Sequence, residues 1–184
     1  MRVIKVISTF AFMIFLCGCV QEEDPAETIR EYNINEATAK EQFTYLEELT
    51  EEKREAYNRF LESGSIANLT NFTPEEMVLI HMNLVMNQEL EKIYKITYNG
   101  GKIDDSTKFV EQYIETVSSQ FEIDYLMYRY YDSISVVEDT SNEEMKIVEM
   151  KISLGSSTYA ITFAMLREDG IWKMDYYHLI ESKL

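Results

Sequence analysis

The spacing of apolar residues changes once along this chain, from about 3.6 residues to about 2, near residue 128. Before that point, apolar positions recur every three or four residues, as is typical of amphipathic helices. After it, apolar and polar residues alternate, as is typical of half-buried strands. Helices followed by strands predict an α+β fold, with N-terminal helices packed on a C-terminal antiparallel sheet of about four strands.

The first helical segment is residues 35–64. We expect Asn35 to cap this helix and Gly64 to end it. Its apolar residues lie on one side and a run of charged residues lies on the other. Two uses are open, an accessory helix packed on its own domain or a coiled-coil partner. The first is favoured because the apolar repeat lasts barely three turns.

Two further helical segments follow. The run Thr73-Pro74-Glu75-Glu76 predicts a helix start, with Thr73 as the cap, Pro74 in the first turn and Glu76 closing a capping box. The apolar face of this helix includes His81, and its pattern breaks at residues 87–89 before resuming. A third helix is predicted to begin near residues 104–106, where two aspartates precede a serine.

The alternating part of the chain predicts four strands, over residues 128–137, 146–154, 159–166 and 172–176. Short turns join the last three, at Gly155-Ser156 and at Glu168-Asp169-Gly170. Because the turns are short, sequential pairing in a meander is the most economical topology.

The amino-terminal segment predicts where the protein is located. Leu16-Cys17-Gly18-Cys19 follows two basic residues and a short apolar stretch, and it resembles a bacterial lipobox. This resemblance implies that residues 1–18 are a signal peptide, that Cys19 carries diacylglycerol, and that residues 19–34 are a tether. The expected location is the extracytoplasmic face of the cell membrane. An ordinary secretory signal, cut after Gly18, is the alternative.

Charge narrows the range of partners. Removing residues 1–18, which hold Arg2, Lys5 and no acid, changes the formal net charge from −16 to −18. Nucleic acid is excluded as a partner because phosphate binding requires clustered Lys and Arg. The acidic body is also expected to stand away from an anionic membrane surface, with attachment supplied by the lipid.

The capped helix at Thr73, its polar break and the terminal hairpin of residues 161–175 resemble the NTF2-like superfamily. Within it, the chain is most similar to the small domains of unknown function on bacterial lipoproteins, including the DUF4878 kind. The domain would span residues 73–184. The resemblance implies a curved sheet wrapped around helices as a cone, whose mouth often holds a small apolar ligand. Some relatives are isomerases, cyclases or dehydratases.

A ligand or partner surface is predicted from residue type alone, and its candidates are His81, Tyr128, Tyr130, Tyr159, Trp172 and Tyr176. His81 is expected to be a neutral core histidine satisfied by one hydrogen bond, and the alternative is a general base. The acids Asp124 and Asp132 precede or enter the first predicted strand, and His178 is expected at the surface. No metal site, cofactor or catalytic residue is predicted.

These observations favour a non-enzymatic, membrane-anchored binding module for an envelope protein or a small apolar ligand. One alternative is an isomerase or cyclase that uses His81 or an acid near the first strand as its base. Another is an immunity-type inhibitor that blocks a toxic partner at the membrane.

Overall fold

A computed structural model describes residues 44–98, 100 and 105–176 of the chain. The helices and strands of these residues are α1 Glu51–Ser63, α2 Pro74–Met86, α3 Leu90–Lys95, α4 Ser106–Thr116, α5 Ser118–Met127, β1 Ser133–Val136, β2 Met145–Leu154, β3 Ser157–Glu168 and β4 Ile171–Met174. Short 3-10 turns lie at Ile66–Leu69, Tyr128–Tyr130 and Glu138–Thr140. None of the described helices has the length and apolar character needed to cross a bilayer.

The strands form one antiparallel sheet in the order β1-β2-β3-β4, which confirms the α+β layout and the meander. The β3–β4 turn is a two-residue hairpin in which Asp169 and Gly170 both have positive φ, 55° and 78°. Asp-Gly suits this turn because both residues tolerate the left-handed conformation. Beyond β4, Thr97 forms a parallel bridge with Met174 and extends that edge of the sheet.

Helix α2 is the centre of the core. Its start is as predicted, because the Thr73 side chain accepts from the Glu76 backbone N–H while the Glu76 carboxylate accepts from the Thr73 N–H. The predicted apolar face with His81 is buried, and so are the other sides of this stretch, since every residue from 77 to 85 is buried. The helix contacts α3 and α5 on one side and β1, β2 and β4 on the other. A helix covered on all sides is mostly apolar all round, and its two buried polar side chains, His81 and Asn83, are hydrogen-bonded.

The accessory helix is shorter than predicted. The described part of segment 35–64 is a turn at residues 45–48, and helix α1 begins only at Glu51. Thr50 caps it by accepting from the backbone N–H of Lys53, and Gly64 ends it as predicted, in the left-handed conformation with φ 67°. Asn35 lies outside the described residues. The competing cap at Thr50 explains the late start, since its side chain supplies the acceptor that a helix N-terminus needs.

The first strand was also predicted too long. Residues 118–127, left without an element by the sequence, form α5, and Tyr128–Tyr130 is a 3-10 turn rather than a strand. Strand β1 therefore begins at Ser133. The buried aromatic residues of this stretch are Phe121, Tyr125 and Tyr128, whose spacing of four and three is helical. The alternation of tyrosines after residue 125 was coincidental.

Candidate functional site

A cleft of about 210 Å³ opens between α5, the middle of β3 and the C-terminal end of β4. Its apolar lining consists of Val117, Phe121, Ile161, Phe163, Ala164, Met174 and Tyr176, and its polar lining consists of Gln120, Asp124, Thr162 and Asp175. The volume lies below the roughly 300–1,000 Å³ of sites for drug-sized molecules. The cleft therefore suits a small molecule on the order of ten non-hydrogen atoms.

Helix α5 brings an acid to this cleft. Gln120 and Asp124 are four residues apart and so lie on one face of the helix, where Gln120 Nε2 donates to Asp124 Oδ1 at 2.9 Å. Only 6% of Asp124 is exposed. Burial raises the pKa of the Asp124 carboxyl, and the hydrogen bond from Gln120 opposes that rise. The raised pKa moves the titration of this carboxyl towards neutral pH. Once ionised, a carboxyl in an apolar cleft attracts a cation more strongly than a carboxyl in water does.

Behind the cleft lies an aromatic cluster built around His81. The His81 ring contacts Phe121 edge-on, with centroids 5.3 Å apart, and Tyr176 at 5.1 Å. Tyr176 Oη and His81 Nε2 share a hydrogen bond. Phe121 and Tyr176 pack edge to face at 5.1 Å. Two walls of the cleft are thereby fixed by the core.

His81 itself is a core residue. Its exposed fraction is zero, and burial lowers its pKa to about 3, so the ring is neutral at physiological pH. Its Nδ1 atom has no hydrogen-bond partner among the described residues. His81 is a neutral core histidine with one hydrogen bond, as expected, but that bond does not satisfy Nδ1. His81 is not part of the cleft lining, so it is not in position to act as a general base there.

The six residues predicted as one surface lie in different environments. Tyr176 lines the cleft over His81, whereas Tyr128 is buried at 2% exposure. Tyr130 and Tyr159 are exposed, at 67% and 47%. Trp172 is half-buried, with the Arg167 guanidinium 5.6 Å from its ring centroid. Only His81 and Tyr176 are brought into contact. Cys19 and His178 lie outside the described residues.

The two acids singled out near the first strand have different roles. Asp124 lines the cleft, whereas Asp132 is exposed and accepts from the backbone N–H of Ser153 at 2.6 Å, which joins the start of β1 to β2. Sequence reasoning missed Gln120 and Phe121 because it placed no helix there. The signal that could have found them is the helical spacing of Phe121 with the buried tyrosines after it.

A second groove, of about 380 Å³, lies between α1 and the 3-10 turn after it and is mostly polar. Its cations are already engaged. Lys53 Nζ lies 2.5 Å from a Glu76 carboxylate oxygen, and Arg59 lies 3.8 Å from Glu55. No group of three or more His, Cys, Asp or Glu side chains in the described part of the chain is placed to hold a metal ion.

No protein-family model matches this chain, and no curated protein matches it at a significant level. A function must therefore be inferred from the cleft itself. The cleft combines an apolar lining with one nine-tenths buried acid, an arrangement typical of small-molecule binding sites.

Proposed function

We propose that this chain is a membrane-tethered binding module that holds a small, mostly apolar molecule between α5 and strands β3 and β4. The observation that carries the proposal is the cleft, in which Phe121, Ile161, Phe163 and Met174 offer apolar surface beside the single buried acid Asp124. Transfer of an apolar molecule from water into such a cleft is favourable by roughly 25 cal/mol per Å² of surface buried.

The order of helices and strands agrees with the NTF2-like resemblance, and the cleft occurs where helices meet the sheet, as that resemblance implies. Several core residues support a preformed cleft. The fully buried His81 and Tyr176 hold the wall at Phe121, so little ordering is required when a ligand enters. A preformed site binds with a smaller entropic penalty than a site that must first fold.

The cleft is tested with phenylpropanol, a neutral probe of the expected size, by saturation-transfer NMR on the full chain. The variant Ile161→Trp places a larger ring in the lining, and Ile123→Trp is its matched control because Ile123 is 59% exposed on α5 and outside the lining. We expect saturation transfer in the wild type and in Ile123→Trp, and its loss in Ile161→Trp. Equal transfer in all three proteins, or none in the wild type, would contradict binding at this cleft.

The tether is proposed from the lipobox at residues 16–19. Fractionation of bacteria that express the full chain tests it, with Cys19→Ser as the variant and Cys17→Ser as the matched control. We expect Cys19→Ser to leave the membrane fraction and Cys17→Ser to stay, because only the first removes the sulfur that carries the lipid. Retention of Cys19→Ser in the membrane would contradict lipid attachment at this residue.

An enzyme of isomerase or cyclase type is the second candidate, and Asp124 is the observation that favours it. An acid with a raised pKa inside an apolar cleft has the properties of a general acid or base. Mass spectrometry of molecules that co-purify with the wild type and with Asp124→Asn separates the candidates. With a binding module, any compound that co-purifies with the variant is the one found with the wild type, whereas an enzyme leaves unreacted substrate in the variant.

A surface that could contact an envelope protein lies outside the cleft. Ile123, Leu126 and Tyr130 are exposed by 59%, 44% and 67%, and their spacing of three and four places them on one side of α5 and the turn after it. Exposed apolar side chains grouped on a helix are typical of protein contacts. Crosslinking in intact cells from a photoreactive group at residue 126 tests this side, with a group at exposed residue 62 on α1 as the control.

A further inference from the structure

The charged side chains that line the cleft are all acidic. The described residues that line it include two carboxylates, Asp124 and Asp175, and no Lys, Arg or His. Its remaining polar side chains, Gln120 and Thr162, are neutral. The whole chain is acidic, with a formal net charge of −16, so the long-range field also favours the approach of cations. An anionic ligand would meet repulsion both near and inside the cleft.

Asp124 keeps acceptor capacity beyond its bond to Gln120. Its Oδ1 atom accepts from Gln120 Nε2, and an ionised carboxylate has about four acceptor positions. The residue is nevertheless only 6% exposed. A charged carboxylate with so little contact with water is costly, and a bound donor that carries positive charge reduces that cost.

The apolar walls suit the same kind of ligand. Phe121 and Phe163 line the cleft, and the face of an aromatic ring attracts an organic cation within about 6 Å of its centroid. Met174 and Ile161 supply further apolar surface without a competing charge. Aromatic rings next to a carboxylate form a site in which an ammonium group is favoured and its hydrocarbon part is buried.

We infer that the ligand of this cleft is an organic ammonium ion, with its N–H groups on Asp124 and its apolar body against Phe121 and Phe163. This inference rests on the proposed function, since it names the chemistry of the molecule that the cleft binds. Asp175 also lines this cleft. A charge-assisted hydrogen bond to a carboxylate is about twice as strong as a neutral one.

Three probes of the same shape test the inference by saturation-transfer titration of the full chain: phenylpropylammonium, phenylpropanol and phenylpropionate. We expect the ammonium probe to bind about tenfold more tightly than the alcohol, and the anion more weakly than either. If the alcohol binds and the ammonium gains nothing, the inference is overturned while the proposed function stands. If none of the three binds, the proposed function fails as well.

Two variants test whether the Asp124 carboxylate holds the ammonium group. Asp124→Asn keeps the size of the side chain, and Asp132→Asn makes the same change at an exposed aspartate outside the lining. We expect Asp124→Asn to weaken the ammonium probe about tenfold and to leave the alcohol within about twofold, while Asp132→Asn changes neither. Asp175→Asn provides a second test if Asp124→Asn does not fold, with a smaller loss expected. An ammonium preference unchanged in both cleft variants would overturn the inference.

Discussion

His81 should contribute to the acid sensitivity of the fold. This histidine is completely buried, and its pKa is lowered from 6.5 to about 3 because burial disfavours the charged ring. Between these two values the unfolded chain binds a proton at His81 and the folded chain does not. The stabilisation from a neutral His81 is therefore fully present above pH 6.5 and is lost as the pH falls through 3.

The size of the effect follows from the same two values. A proton bound only in the unfolded state lowers the free energy of unfolding by about 1.4 kcal/mol per pH unit. From pH 7 to pH 5, His81 alone should thus lower the stability by about 2 kcal/mol. The variant His81→Gln cannot titrate, yet its amide can keep a hydrogen bond to Tyr176 Oη.

The assay is equilibrium urea unfolding of the full chain at pH 7 and pH 5, followed by far-UV circular dichroism. All other titrating groups are common to the wild type and His81→Gln, so the difference between their two pH responses isolates the histidine. We expect the wild type to lose about 2 kcal/mol more than the variant over this range. Equal losses would refute the conclusion that the native core excludes a protonated His81.

Two further predictions concern residues near the start of α2 and in the cleft. Thr73→Ala removes the capping box and should lower the free energy of unfolding by about 1 kcal/mol in urea, whereas Thr70→Ala, outside any α-helix cap, should change it little. Asp124→Asn should be more stable than the wild type at pH 7, because burial raises the pKa of the native carboxyl and its charged form is disfavoured. That advantage should shrink as the pH falls towards 3.8, because the native carboxyl takes up its proton above that value, and an advantage that grew on acidification would contradict the raised pKa.

Local signals explain which parts of the fold were predictable. The capping box at Thr73 and the Asp169-Gly170 turn each depend on a few neighbouring residues, and both formed as expected. The segment around residues 125–131 gave no such signal. Its tyrosines satisfy a helical spacing and an alternating one at the same time, and contacts with distant elements decide between them.

The site was predictable only in part, for a similar reason. The core role of His81 followed from its place on an apolar helical face, which is a local pattern. The importance of Asp124 did not, because its burial depends on α5 lying opposite Phe163 and Met174, about 40 to 50 residues later in the chain. Sequence periodicity does not show which distant elements pack against each other.

Ligand binding between α5 and strands β3 and β4 is tested most directly by a crystal structure of the full chain grown with phenylpropanol. We expect density for the probe inside the cleft, with its ring against Phe121 and Phe163 and its hydroxyl near Asp124. Density for the probe at another position, with the cleft closed by protein side chains, would contradict a ligand site at this position.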